Sequence, residues 1–310
     1  MEMRKVLANS LEELMQKNEN IVLIDADLSK PNGLGDLKNK FPDRAFDIGV
    51  SEQNMASIAA GMSSYGFTPF ISTFTPFASR RICDQIAISC AYAKQNVKII
   101  ATDPGISAEY NGGTHMSFED IGVLRSIPEI VIFEPVDCIQ LKKLLPQIAE
   151  YKGVVYIRTF RKEIPDVFSG NDEFDLFSSS KIQDGSDISI FCTGIMVQET
   201  LEANKILKSE GINADIINIH TIKPIDKEAI ITSAKKTGAV VTAENHNVIG
   251  GLKSAVCEVL SENYPVYVGS IGINDQFGQV GKMPFLKNFY HLRAEDIVKK
   301  VHETLAKSKK

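Results

Sequence analysis

An acidic residue at the start of a predicted helix and two nearby aromatic residues are the groups best placed for chemistry in this 310-residue chain. Glu52 follows Ser51, a residue that can cap a helix, after the apolar run 46–50. Phe74 and Phe77 lie three residues apart, a spacing that places two rings on one side of a turn. A flat heteroaromatic ring could stack on these rings while the carboxylate bonds one of its nitrogens. The simpler interpretation is a solvated glutamate, favoured by the helix dipole, beside two core phenylalanines.

Other polar residues follow predicted strands or glycines. His115 follows two glycines and a threonine, and histidine is suited to proton transfer near neutral pH. Arg158 and Arg161 close the apolar run 154–157, and parallel sheets bind ligands at such strand ends. Arginine binds phosphate with two parallel hydrogen bonds. Asp27 also follows an apolar run. Each of these residues could instead be an ordinary surface charge or turn cap.

Two blocks of alternating apolar runs and amphipathic segments must position these residues. Such alternation predicts an α/β fold of two domains, each with a mostly parallel sheet and helices on both faces. Residues 167–187 lose this periodicity and are rich in serine, aspartate and glycine. We therefore predict domains at 1–166 and 188–310, joined by a linker at 167–187. The predicted strands are 21–24, 46–50, 68–72, 97–101, 130–133, 154–157, 188–193, 214–219, 239–242 and 266–270. Amphipathic segments of helix length lie between several of them, such as 81–94 and 138–150.

Composition narrows the possible partners. The net charge of −5 gives no reason to expect binding to nucleic acid or to an anionic membrane surface. The sequence contains no apolar run long enough to span a bilayer. Its five cysteines are widely spaced in apolar or helical settings, and no pair has metal-ligand spacing. They indicate reduced thiols in a cytoplasmic protein.

Several short motifs, met in order along the chain, resemble the transketolase family. Several independent matches in order are far more specific than any one of them. The resemblance implies a pyrimidine-binding domain followed by the C-terminal domain of that family. The motifs are DIGVSEQNM (47–55), STFTPF (72–77), NGGTH (111–115), ENHNVIGGL (244–252) and FGQVG (277–281).

The resemblance implies thiamine diphosphate as the cofactor. The implied reaction transfers a two-carbon ketol unit from a ketose or ketose phosphate to an aldose acceptor. In this family a glutamate bonds the aminopyrimidine ring of the cofactor and activates it, and Glu52 matches that residue. Phe74 and Phe77 match the phenylalanines that hold the ring. The resemblance also places Arg80 and Asp27 beside the cofactor.

On the substrate side, His115 matches the histidine that bonds substrate oxygens and assists proton transfer. Arg161 matches the arginine that binds the substrate phosphate. Arg158 and Arg4 are further candidates for that role. His246, in the ENHN motif, is expected to be structural or interfacial, because the C-terminal domain of the family does not hold the cofactor.

Three positions depart from the family pattern. Asp103 stands where a histidine is usual, and Asn111 stands where an aspartate is usual. In full-length enzymes both positions face the sugar, so the donor and the acceptor stay open. Arg80 stands where a tyrosine is usual, and an arginine at this position is more similar to the pattern of 1-deoxyxylulose-5-phosphate synthase.

The G-D-G motif through which the family holds Mg²⁺ and the diphosphate does not occur in this sequence. We therefore expect no metal site on this chain, and a partner, the N-terminal transketolase subunit, that carries the Mg²⁺ and diphosphate site in an α2β2 assembly. Two alternatives use the same half-site for decarboxylation: the beta subunit of a 2-oxo acid dehydrogenase and a deoxyxylulose phosphate synthase-like enzyme. A non-catalytic partner subunit is the third alternative.

Overall fold

The computed structural model of the chain describes residues 1–308 and contains two sheets with helices on both faces. The first sheet has seven strands, which run parallel except for one antiparallel edge strand. In order across the sheet they are β10 (Thr221–Lys223), β5 (Val131–Phe133), β6 (Val155–Thr159), β4 (Lys98–Thr102), β3 (Thr68–Phe74), β1 (Ile21–Asp25) and β2 (Ala45–Asp47).

The second sheet has five strands and is also parallel except at one edge. These two mostly parallel sheets confirm the predicted fold class. The edge strand lies within the segment predicted as a linker; its side chains are half-buried or exposed, so the segment lacks the apolar pattern of a strand. In order the strands are β12 (Val268–Ile273), β11 (Val240–Asn247), β8 (Ile188–Cys192), β9 (Ala214–Asn218) and β7 (Ser180–Gln183).

Eleven α-helices connect and flank these strands in the described part of the chain. Residues 81–94, which the sequence predicts as one helix, instead form a 3₁₀ turn at Arg80–Ile82 and a π-helical segment at Gln85–Tyr92. A second 3₁₀ segment spans Gly105–Asn111. The helices are α1 (Met3–Lys17), α2 (Ser29–Asn32), α3 (Gly35–Lys40), α4 (Glu52–Ser64), α5 (Asp120–Arg125), α6 (Cys138–Glu150), α7 (Met196–Ser209), α8 (Lys227–Thr237), α9 (Leu252–Asn263), α10 (Met283–Phe289) and α11 (Ala294–Ser308).

Helix α4 positions the residues at the carboxyl edge of the first sheet. Its inner face is built from Met55, Ala56 and Ala59, all fully buried. These mostly small side chains let α4 pack closely on β3 and on the π-helical segment. The first residue of α4 is therefore held where the strands end.

The two halves of the chain are joined through the first sheet. Strand β10 comes after β9 of the second sheet, but it pairs with β5, with Thr221 opposite Phe133 and Lys223 opposite Ile132. The edge of one sheet is thus completed by the other half of the chain. Within residues 1–308, no helix combines the length and apolarity that crossing a lipid bilayer requires.

Candidate active site

Glu52 is the first residue of α4, and its side chain is only 3% exposed. Ser51 takes the N-cap position, but its side chain makes no capping hydrogen bond. The buried carboxylate instead accepts a hydrogen bond of 2.7 Å from Nη1 of Arg81. A carboxylate removed from water needs such a partner. Glu52 is therefore not the solvated first-turn glutamate of the simpler interpretation.

Three aromatic rings form a cluster at this edge of the sheet. Phe74 ends β3, and its ring centroid lies 6.3 Å from that of Phe77. The imidazole of His115 meets both rings edge-on, at 6.0 Å from Phe74 and 5.3 Å from Phe77. Phe77 and His115 are partly exposed, whereas Phe74 is buried. The three residues, predicted separately, thus lie together.

Phe74 and Phe77 each contact an arginine, and each of these arginines pairs with a buried carboxylate. Arg81 places its guanidinium carbon 3.8 Å from the centroid of Phe77 while it bonds Glu52. Arg161 lies 4.9 Å from the centroid of Phe74 and forms an ion pair with a second carboxylate. Both arrangements combine a cation–π contact with a charge-assisted hydrogen bond or ion pair.

The partner of Arg161 is Asp103, which follows β4 and takes a left-handed backbone conformation (φ 56°). Burial raises the pKa of the Asp103 carboxyl, and the nearby Arg161 opposes that rise. Asp103 thus neutralises the arginine predicted to bind a substrate phosphate.

The loop that carries His115 is held by the second half of the chain. A Cβ at Gly113 would lie 2.8 Å from the carbonyl oxygen of Gly278, and one at Gly112 would lie 2.7 Å from Cγ2 of Val280. Glycine therefore permits the close approach of the 277–281 loop. Thr114 Oγ1 lies 2.8 Å from Nδ1 of His115.

Three other predicted residues have partners or positions of their own. Asp27 is exposed in a left-handed conformation (φ 59°), and its N–H donates to Asp47 Oδ1 at 3.1 Å. Arg80 forms an ion pair of 2.8 Å with Glu119. Asn111 is exposed at the end of the second 3₁₀ segment.

Arg4 lies next to the strand end that carries Arg161. Its backbone N–H donates to the carbonyl oxygen of Arg161 at 3.2 Å. Its guanidinium bonds the carboxylate of Glu2 and the carbonyl oxygen of Pro31. The structure therefore brings Arg4 close to Arg161 in the fold, although its side chain is engaged elsewhere.

Arg158 does not lie in the open site, contrary to the prediction. It is fully buried and donates to Asp120 Oδ2 at 2.8 Å, Glu134 Oε1 at 2.6 Å and the carbonyl oxygen of Asn245 at 2.8 Å. Strand β6 lies between β5 and β4, and Asn245 of the second half of the chain contacts the guanidinium of Arg158. Arg158 is thus unable to reach a substrate phosphate.

His246 lies in the same buried cluster between the two halves. Its Nδ1–H donates to the carbonyl oxygen of Asn247 at 2.7 Å, and its Nε2 accepts from the N–H of Gly122 at 3.3 Å. Burial lowers the pKa of His246 to about 4, so the ring is neutral near pH 7. This cluster joins the two halves but is closed to ligands.

Two residues near the site are not singled out by the sequence patterns. Arg81 falls within a predicted amphipathic helix, although its spacing of four residues from Phe77 is a signal for a contact on one side of a turn. Asp25 ends β1, and burial raises the pKa of its carboxyl to about 7.

No group of three or more His, Cys, Asp or Glu side chains among residues 1–308 is arranged to hold a metal ion.

Comparison with known proteins gives the same family for both halves of the chain. Residues 1–166 match the family model described as transketolase, pyrimidine binding domain. Residues 179–297 match the model described as transketolase, C-terminal domain. Together these two models cover most of the chain.

Curated relatives and a solved structure match over nearly their whole length. The 6-deoxy-6-sulfo-D-fructose transketolase subunit SqwH of Clostridium sp. (strain MSTE9) is 48% identical, over 97% of this chain and 94% of that protein. An apulose-4-phosphate transketolase subunit of Phocaeicola vulgatus is 35% identical, over 98% and 97%. A structure described as a split gene transketolase, inactive beta4 tetramer, has a TM-score of 0.91 and 42% identity, over 99% of both chains. The chain therefore belongs to the transketolase family, in which it corresponds to the subunit of a split enzyme that carries the pyrimidine-binding and C-terminal domains.

Proposed function

We propose that this chain is the subunit of a thiamine diphosphate-dependent transketolase that holds the pyrimidine ring of the cofactor. The observation that carries the proposal is the buried carboxylate of Glu52 at the start of α4, which is linked to the ring of Phe77 through the side chain of Arg81. The names of two similar proteins, both transketolase subunits, support the reaction class.

The contacts of the Arg81 side chain show what kind of group fits between Glu52 and Phe77. Its guanidinium is flat, donates an N–H to Glu52 and lies against the face of Phe77. The space between the carboxylate and the phenyl ring therefore accepts a flat group that carries N–H donors. The aminopyrimidine of thiamine diphosphate is such a group, so the residues present fit the cofactor. When bound, the cofactor supplies the carbon nucleophile that carries a two-carbon unit between sugars.

The residues of this chain would then divide the work. Glu52 holds the proton at the ring nitrogen, and Phe77 with Phe74 fixes the plane of the ring. His115, which lies against both phenylalanines, is placed to exchange a proton with a hydroxyl or carbonyl oxygen of the sugar. Arg161 steadies the far end of the substrate.

Four further residues keep the roles that the resemblance implies. Asp27 and Arg80 flank the cofactor, and Asn111 and Arg4 lie toward the substrate. The backbone contact between Arg4 and Arg161 supports the proposal that Arg4 lies on the substrate side.

A second polypeptide completes the proposed site. This sequence carries no G-D-G motif, so we propose that an N-terminal transketolase subunit holds Mg²⁺ and the diphosphate. Two copies of each chain would form an α2β2 assembly in the cytoplasm. The solved relative described as an inactive β4 tetramer supports self-association of this kind of subunit.

The substrates proposed are sugars with an anionic group at the end away from the ketone. One relative is named for a sulfonated sugar and another for a phosphorylated one. Arg161, which forms an ion pair with Asp103, is the residue that we propose to meet this group. We also propose the domain boundaries predicted from the sequence, with domains at 1–166 and 188–310.

The complex with the partner chain, supplied with Mg²⁺ and thiamine diphosphate, tests the proposal. Transfer of two carbons between ketoses and aldoses should be lowered by Glu52→Gln by about 10²- to 10⁴-fold, the usual loss when a proton-transfer group is removed. Glu228→Gln is the matched control, because Glu228 is an exposed first-turn glutamate of α8. Wild-type exchange by Glu52→Gln would refute the role of Glu52. Release of carbon dioxide from pyruvate would instead support the decarboxylating alternatives.

A further inference from the structure

Arg81 occupies the space between the two residues proposed to hold the cofactor ring. Its Nη1 lies 2.7 Å from Oε1 of Glu52, and its guanidinium carbon lies 3.8 Å from the centroid of Phe77. The side chain is 41% exposed, so it has an open path to solvent. Its carbonyl oxygen is held separately, by the amide of Gln53 at 3.1 Å. The side chain can therefore move away without loss of the backbone anchor.

A guanidinium and an aminopyrimidine make the same kinds of contact. Both are flat, both present N–H groups to a carboxylate, and both stack on a phenyl ring. Arg81 takes an oxygen of Glu52 and a face of Phe77, which are the two kinds of contact that the ring would need. The two groups therefore compete for the same position.

The charge of Glu52 gives a physical reason for its contact with Arg81. The Glu52 side chain is 3% exposed, and an unpaired carboxylate at such burial would cost several kcal/mol. Arg81 supplies the opposite charge and also covers the face of Phe77. The contacts with Arg81 thus stabilise the site before any ligand enters.

We propose that Arg81 is an internal substitute for the pyrimidine ring: its side chain holds Glu52 and Phe77 together until the cofactor binds, and it then moves away. The inference rests on the proposed function, because it requires that Glu52 and Phe77 receive the ring. Its consequence is that the affinity for the cofactor is reduced by the contacts that Arg81 must give up.

Calorimetric titration of the assembled complex with thiamine diphosphate, at saturating Mg²⁺, tests this proposal. Arg81→Met should bind about tenfold more tightly than wild type, which corresponds to about 1.4 kcal/mol. Arg44→Met is the matched control. Arg44 also stacks on a phenylalanine, Phe41, at 4.9 Å, but its guanidinium donates to carbonyl oxygens that precede the amino end of β1. Its removal should leave the affinity unchanged.

A second variant guards against a folding defect. Arg81→Lys keeps the charge but has no flat face, so its affinity should lie between those of wild type and Arg81→Met. In the isolated chain, Arg81→Met should lower the urea midpoint, because Glu52 loses its partner. Equal or weaker cofactor binding by both Arg81 variants would overturn the proposal. A wild-type complex that binds no thiamine diphosphate would instead count against the proposed function itself.

Discussion

Replacement of Arg158 by methionine should be among the most damaging single changes in the chain. It removes four hydrogen bonds, to Asp120, Glu134 and the carbonyl oxygen of Asn245. Both carboxylates would stay buried without their cation, because their side chains are at most 3% exposed. Breaking a buried ion pair on one side costs about 3–5 kcal/mol. Since whole domains are stable by about 5–15 kcal/mol, this is a large share of the total.

Urea unfolding of the isolated chain at pH 7 measures this loss. Lys205→Met is the control, because Lys205 and Glu202 form an exposed pair, and exposed pairs contribute about 0–1 kcal/mol. Addition of Glu134→Gln to Arg158→Met should recover part of the stability, since one of the two unpaired charges is then absent. An Arg158→Met protein within about 1 kcal/mol of wild type would contradict this account of the cluster.

Three further predictions concern single residues. Asp103→Asn releases Arg161 from its ion pair, so steady-state kinetics should show a KM for phosphorylated donors about tenfold lower, equal to about 1.4 kcal/mol. Burial raises the pKa of Asp25 to about 7, above about 3.9 in the unfolded chain, so the folded state binds the extra proton. Stability should therefore fall as pH rises from about 4 to 7, and Asp25→Asn should remove this component from urea-unfolding curves. Gly194→Ala places a Cβ against the Glu134 carboxylate at φ 52°, and thermal unfolding should show a loss of about 1–3 kcal/mol.

The position of Glu52 could be predicted because it depends on local sequence. A short apolar strand followed by a serine and an acid indicates a strand-to-helix junction, and such junctions lie at the ligand-binding edge of a parallel sheet. The position of Phe74 follows from the same rule, since it ends β3. His115 is separated from β4 by the 3₁₀ segment Gly105–Asn111, so its contact with both phenylalanines could not be predicted.

The roles of Arg158 and Arg81 could not be predicted in this way. The partners of Arg158 are 24 to 87 residues away, and its burial depends on how the second half of the chain covers β6. Arg81 meets Glu52, 29 residues earlier, from a 3₁₀ turn that stands where the sequence predicts the start of a helix. Periodicity describes which face of an element is apolar; it does not say which charged groups from separate elements will meet.

Strand β10 has a consequence for any attempt to divide this protein. A fragment that ends at residue 187 would leave the backbone groups of Val131–Phe133 without the neighbour that the intact chain supplies. Bare sheet edges of this kind recruit strands from other molecules, so the fragment should aggregate when it is expressed alone. Because one half of the chain contributes a strand to the sheet of the other, the two halves should melt in a single cooperative transition.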